Sequence, residues 1–509
     1  MRLIWFRRVL TLATLVAVCA GMAAAADPQA ASLVRQALAA QGGEATLRAL
    51  RSVQLDATGY RDLVEQSERP EGPYVVEFDH LKEVHDLAGQ RLRRSLSAQI
   101  PPFPEFTDTL VLAGDVAMRG PAGHNFPAGN LERDAAAEAL ALSPERLLLT
   151  ALEAPSLRAE PDTVLRHIVQ HVVVFDLDGS PVRIYLNRHT LLPTAVDYSG
   201  PAAHAGYWNY LGDVTLRTWY TFWSLQKGGI HYPLQWNTER NGLPDRVLMI
   251  TSLILDGALD EALLTIPPEV RAQAPSRAGS SDLEALPLGL PDQPTVEVAP
   301  GVVFIPGRWN VTLVRQGDGV VVLEAPISSG YSAKVIEEAG RRFPGAAIKA
   351  VITTSDAWPH LAGIREYVAR GVPVYALDLD RPILERVIGD RRQSKPDRLA
   401  RAPRPPVFHI VSTGTALGSG PNRLEIIPLR GATTERQMMV YFPEQRLLYG
   451  SDAFQKDSDG TYFLPQTVSE EVAAVVREHL VVERFFMMHV APTPWSELQG
   501  VLDKATGRK

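Results

Sequence analysis

One short loop gathers more chemistry-bearing side chains than any other stretch of the chain. The β-branched run Ala350-Val351-Ile352-Thr353-Thr354 leads into Ser355-Asp356-Ala357-Trp358-Pro359-His360-Leu361-Ala362-Gly363, and an amphipathic segment follows from Ile364 to Ala369. Such a loop places a hydroxyl, a carboxylate and an imidazole at the end of a buried-type strand. Asp356 reads in two ways, as a carboxylate that accepts a proton in catalysis or as one that caps loop amides. No G-x-S-x-G nucleophile elbow and no G-x-x-x-x-G-K-[ST] phosphate loop occurs anywhere in the chain. Gly414-Thr415-Ala416-Leu417-Gly418-Ser419-Gly420 opens no helix and reads as a turn. His80, His124, His231 and His409 read as ordinary surface or core residues, and Asp457-Ser458-Asp459-Gly460 as a solvated turn.

The elements that must position this loop begin with a leader. Met-Arg-Leu-Ile-Trp-Phe-Arg-Arg, an apolar run to Met22 and Ala23 to Ala26 have the order of a secretory signal peptide, residues 1–26. The expected location is therefore exported, periplasmic or secreted. The apolar run is shorter than the ~20 residues of a membrane-spanning helix, so no stable transmembrane segment is expected once the leader is removed. Cys19, the only cysteine, leaves with it, so neither a disulfide nor a thiolate ligand remains. Loss of Arg2, Arg7 and Arg8 takes the formal charge from −7 to −10. No basic cluster marks a nucleic-acid footprint.

The remaining length suits two domains. Residues 27–266 carry two short helices and then alternating strands, with Asp178-Gly179 and Asn241-Gly242 as hairpin turns. One long helix is expected from Leu131 to Leu152. Together these predict an α+β domain built on a curved antiparallel sheet. Phrases such as Tyr207-Trp208-Asn209-Tyr210-Leu211-Gly212-Asp213 and Gly229-Ile230-His231-Tyr232-Pro233 loosely resemble periplasmic lipoprotein-carrier half-barrels. That likeness implies an apolar or lipid-like ligand, whereas Trp208, Trp219, Trp223 and Trp236 by themselves read as core filling. Residues 267–294, rich in Pro, Ala, Ser and Gly, form the expected linker.

Residues 295–509 run strand, strand, helix, strand, helix, strand. The Thr353–Gly363 frame resembles the T-H-x-H-x-D-H-x-G-G loop of the metallo-β-lactamase superfamily. Leu424–Leu429 with Arg430-Gly431-Ala432-Thr433 resembles its G-H-T turn, Leu447–Asp452 its bridging aspartate, and Phe485–His489 its last histidine. The resemblance implies a C-terminal αββα metallo-β-lactamase-like sandwich following the N-terminal sheet domain. It also implies two metal sites, one of which is erased. Ser355, Ala357 and Ala432 stand where that metal would have its histidines, and a hydroxyl and two methyl groups cannot hold zinc. At the other site Pro359 replaces an aspartate, while His360, Asp452 and His489 persist. These three imply one divalent metal ion, zinc first, with ferrous iron or manganese compatible. Asp356 would assist as the catalytic carboxylate, and Trp358 and Trp495 would shape the mouth. Glu324 stands where the family has a strand-end aspartate.

Two functions follow from this reading. One is an exported single-metal hydrolase of an ester, lactone, amide or phosphoester, taking a small-molecule or lipid-like substrate. The other is a catalytically inactive metallo-β-lactamase-like module that binds an apolar ligand or a protein partner.

Overall fold

A computed structural model of the chain describes residues 27–64, 69–101, 103–204, 212–274, 283–307, 309–453, 455–456, 462–463 and 465–507. The leader 1–26 with Cys19, residues 207–211 with Trp208, and the acidic run Asp457 to Gly460 lie outside the described residues.

Period-two alternation dominates the N-terminal half, and its strands pair as the pattern demands. Thirteen strands, all antiparallel, form one sheet. The first strand, Ser52–Asp62, lies near the middle, between Val76–Asp86 and the last strand of the sheet, Leu243–Leu255. Both expected hairpin turns form. Asp178 and Gly179 have φ of 49° and 81°, and Asn241 and Gly242 have 48° and 80°. This left-handed pair is what a two-residue hairpin requires. On one face the helices Pro28–Gln41 and Leu147–Glu153 bury Val34, Leu38, Leu147 and Leu149 against Val53, Leu55, Phe175 and Ile184.

The expected long helix from Leu131 to Leu152 is broken. It forms as Asn130–Ala141 and Leu147–Glu153, separated at Ser143-Pro144-Glu145. Pro144 cannot continue a helix, and Glu145 is drawn into the core. Its carboxylate meets His85 Nδ1 at 2.6 Å and accepts from the Tyr232 hydroxyl at 3.0 Å. The segment Leu110 to Met118 likewise divides into Phe106–Ala113 and Val116–Arg119 around Gly114. Trp223 and Trp236 are core filling, each edge-on to Tyr220. Trp219 is core filling too, buried with Val172, Tyr185 and Ala195, and it also carries the guanidinium of Arg166 4.0 Å above its ring.

The proline-rich stretch 267–294 is docked at both ends. Pro268–Ala272 buries Val270 beside Val111 and Met118, and Leu283 and Leu286 pack on the C-terminal core.

That C-terminal part holds a seven-stranded and a six-stranded sheet. In the first, four antiparallel strands from Val296–Ala299 to Gly319–Leu323 adjoin three parallel ones, Ile348–Ile352, Val374–Leu377 and Phe408–Val411. Gly319–Leu323 is buried at every position, as expected of a strand covered on both faces. Phe304, Val321 and Ile352 of one sheet meet Ile426, Val440 and Phe486 of the other. The helices Ser329–Arg342, Ile364–Ala369 and Arg381–Gly389 cover the outer face of the first sheet, and Pro465–Arg477 and Trp495–Thr506 that of the second. The glycine-flanked run at 414–420, expected as a turn, contains the edge strand Thr415–Leu417 before its turn at Gly418 and Gly420. Val64, Ala203 and Val214 of the N-terminal half join the core beneath the first sheet. Among the described residues, no helix is long and apolar enough to cross a membrane.

Candidate active site

Four apolar strands end in the same place, and each delivers a polar side chain there. Gly319–Leu323 ends at Glu324, Ile348–Ile352 at Thr353 and Thr354, Leu447–Tyr449 at Ser451 and Asp452, and Arg484–Phe486 leads to His489. The short helix Trp358–Leu361 brings His360.

His360, Asp452 and His489 do come together. His360 Nε2 lies 3.9 Å from Asp452 Oδ2, and His489 Nε2 lies 3.4 Å from Asp452 Oδ1. Asp452 thus stands between two imidazoles. Glu324, wholly buried, holds the far side of His360, with Oε2 3.0 Å from Nδ1. Glu324 is itself held. The Tyr449 hydroxyl donates to its Oε1 at 2.8 Å, the Thr354 hydroxyl donates to the same oxygen, and Thr354 is linked on to Ser451 at 2.8 Å. The result is a row, Glu324–His360–Asp452–His489.

Exposure falls along this row. Side-chain exposure is 25% at His489, 14% at Asp452 and zero at His360. Burial opposes charging His360, but Glu324 and Asp452 outweigh it and push its pKa up to about 10. Burial lowers His489, with Asp452 opposing. Glu324 and Ser451 have φ of 75° and 56°. Left-handed backbone at non-glycine residues costs about 1–3 kcal/mol each and collects at functional sites.

The donor chemistry fits a cation in one respect. His360 is wholly buried, with Glu324 behind its Nδ1 and Nε2 facing the Asp452 carboxylate. The spacing is less closed. Among the described residues, no group of three His, Cys, Asp or Glu side chains is gathered tightly enough to hold a metal ion. The expected trio is therefore assembled pairwise through Asp452, and holding one ion would need His489, its most exposed member, to close in.

Ser355 and Ala357, expected as emptied metal positions, have structural partners. Ser355 makes a backbone bridge to Gln437, and its hydroxyl accepts from the Ala357 amide. Ala357 leads into the short helix. Trp358 is not at the mouth. It is 2% exposed and sits edge-on to Trp309 with ring centres 4.7 Å apart. Trp495 opens the last helix and packs edge-on to Phe485, on the outer side of the second sheet. Asp356 belongs to a second cluster, with Asp380 and Arg436. Its Oδ2 is buried without a hydrogen bond, and burial pushes its pKa up to about 7 against the pull of Arg436. Asp380 is wholly buried with neither oxygen hydrogen-bonded, and burial together with Asp356 raises it well above the carboxylate range. The pattern of the chain gave no hint of Asp380 in this region, nor of the hydrogen bonds that Tyr449 and Thr354 make to Glu324. Only Glu324, a lone carboxylate closing an apolar strand, carried a signal.

No family model and no curated protein matches the chain. The sec-alkylsulfatase Pisa1 from Pseudomonas sp. is 15% identical, with a TM-score of 0.32, over 43% of this chain and 42% of its own. The match thus spans less than half of the alkylsulfatase. The DIM-1 metallo-β-lactamase is 14% identical, with a TM-score of 0.33, over 43% of this chain and 99% of its own. A metallo-β-lactamase from Pontibacter korlensis is 16% identical, with a TM-score of 0.32, over 41% and 97%.

Proposed function

We propose that this chain is an exported hydrolase whose C-terminal domain, residues 295–509, has a metallo-β-lactamase-like fold and works at the Glu324–His360–Asp452–His489 row with at most one divalent cation. One observation carries the reading. Side chains from distant parts of the sequence line up in one row, and the deepest imidazole is backed by a carboxylate that two further hydroxyls hold in place. Burying an imidazole and a carboxylate together costs several kcal/mol in desolvation. A site in free drift would be expected to replace such a pair with apolar residues.

Each residue then has a task. Tyr449 and Thr354 orient Glu324, and Glu324 fixes the His360 ring so that Nε2 faces Asp452. This is the carboxylate–histidine backing that orients metal-ligating imidazoles. His360, Asp452 and His489 would hold the ion, zinc being the first choice for two imidazoles and a carboxylate. Such an ion, when bound, would supply Lewis-acid activation of water and of a substrate oxygen. The erased positions leave no second ion to clamp the leaving oxygen, so turnover should be slow beside a two-metal enzyme. Asp356, which burial pushes up to about 7, is the further carboxylate for proton transfer. The substrate is a small ester, lactone, amide or phosphoester. The lipid-like option rests on the N-terminal pattern alone.

Screening the purified full chain against p-nitrophenyl esters, a lactone and p-nitrophenyl phosphate tests the reading. Hydrolysis that Asp452→Asn abolishes supports it, and hydrolysis that survives Asp452→Asn refutes it. The row-like spacing favours a second reading, in which the domain binds without catalysing, with His360 as a fixed internal cation between two carboxylates. Metal-free protein with no hydrolytic activity would select that reading.

A further inference from the structure

We infer that the helix Pro465–Arg477 is a clamp on two turns beside the row, and that Glu471, at the centre of its buried stripe, releases the clamp when the carboxyl loses its proton. The release is a property of the helix and does not depend on the hydrolytic reading. Only its consequence for the row does.

The stripe consists of Thr467, Val468, Glu471, Ala474 and Val475, the spacing of the core-facing side of a helix. An apolar residue belongs at its centre, and the chain places a carboxyl there. Glu471 is wholly buried, and neither of its oxygens has a hydrogen-bond partner. The core that the stripe enters is apolar, with Leu448, Val468, Val475 and Met487. The carboxyl lies against Gly450. A methyl group on that glycine would stand 2.1 Å from Glu471 Oε1 and 2.5 Å from the Met487 methyl. Only glycine therefore leaves room for the carboxyl, two residues before Asp452. Among the described residues no charged group acts on Glu471, and burial alone holds it well above the ordinary carboxylate range. It is neutral where exposed glutamates are ionised.

The same helix holds both turns. Glu470 accepts from the amides of Thr433 and Thr434 at 3.1 and 3.0 Å, and from their hydroxyls at 3.1 and 2.8 Å. This fixes the turn that follows Ala432. The Thr467 hydroxyl donates to the carbonyl of Ala453, next to Asp452. An ionised Glu471 would find no donor in its place, and an uncompensated charge in an apolar core is strongly disfavoured. The carboxylate must reach water. From the centre of the stripe it does so as the helix lifts, which loosens Thr433, Thr434 and Ala453 together.

Urea unfolding of the full chain and of Glu471→Gln, compared from about pH 5 to about pH 9, tests the inference. The raised Glu471 gives stability that is complete below its unfolded value of 4.5 and is lost as pH rises toward its folded value. The unfolding constant of the wild type relative to Glu471→Gln should therefore rise about tenfold per pH unit, one proton, until that folded value is reached. The His85 network is common to both proteins and cancels in the ratio. Amide hydrogen exchange at about pH 9 reads the local opening. It should be faster in Pro465–Arg477 and at Thr433 and Thr434 in the wild type than in Glu471→Gln, and equal in Ser329–Arg342. Glu471→Leu, apolar and near in size, repeats both measurements and should match Glu471→Gln. A ratio that stays constant with pH, or equal exchange in Pro465–Arg477, would overturn the inference.

Discussion

His360 sits where no water reaches, with a carboxylate on each side. Removing its ring would leave Glu324 as a buried charge without its partner, which costs about 3–5 kcal/mol. His360→Ala should therefore lower the urea unfolding free energy by that amount. If the ring were ordinary core filling, the loss would stay near that of a modest cavity. Glu324→Gln keeps the shape and removes only the charge behind the imidazole. Loss of such backing weakens cation affinity roughly 10–100-fold, so zinc titration of this variant should show that drop while the urea midpoint moves less than in His360→Ala. Equal zinc affinity in Glu324→Gln and wild type would remove Glu324 from the site. In the sequence, the nearness of His360, Asp452 and His489 was legible because Asp452 and His489 follow short β-rich segments and His360 stands in the loop after another. Thr354 and Tyr449 were not, because their part depends on how two sheets face each other, which no local pattern records. Trp358 was misplaced for a related reason. A tryptophan beside a ligand loop looks like a lid until the neighbouring Trp309 is seen beneath it.

The break between the helices Asn130–Ala141 and Leu147–Glu153 shows how a single buried network shapes an element. Glu145 in the break and Glu83 on the strand Val76–Asp86 clasp His85 from its two nitrogens, at 2.6 and 3.0 Å. Burial opposes charging all three groups. Glu145 and Glu83 nonetheless carry His85 up to about 10, while His85 lowers Glu145, and Arg94 with His85 lowers Glu83. The raised His85 gives stability that is complete below its unfolded value near 6.5 and is lost as pH rises toward about 10. The depressed glutamates give stability present above about 4.5 and lost as pH falls below it. Unfolding free energy should thus be greatest between about pH 4.5 and 6.5 and decline on both sides. His85→Gln should flatten the alkaline decline, and a decline of unchanged slope would show that the network is not its cause. Pro144 was visible in the sequence, but the alanine- and leucine-rich pattern around it outweighed it. The hairpin turns at Asp178-Gly179 and Asn241-Gly242 were fully legible, because turn chemistry is local.

At the scale of the whole molecule the two halves share a core. Val64, Ala203 and Val214 are buried with Val303, Leu313 and Trp358, and ion pairs Arg69–Glu435 and Arg436–Glu71 cross between the halves at the surface. Calorimetry of the full chain should accordingly give one cooperative transition, and two well-separated transitions would show that the halves fold independently. The mixture of helices with large antiparallel sheets was legible from strand and helix order, whereas the docking of the proline-rich stretch was not, since Leu283 and Leu286 lie in a segment without periodicity. The central claim concerns what this assembly holds at its strand ends. Metal content of the purified full chain, measured by plasma mass spectrometry after equilibration with zinc and removal of loose ions, tests it most directly. About one equivalent per chain, absent from His360→Ala, is the expected result. Two equivalents, or one equivalent retained in His360→Ala, would contradict the account.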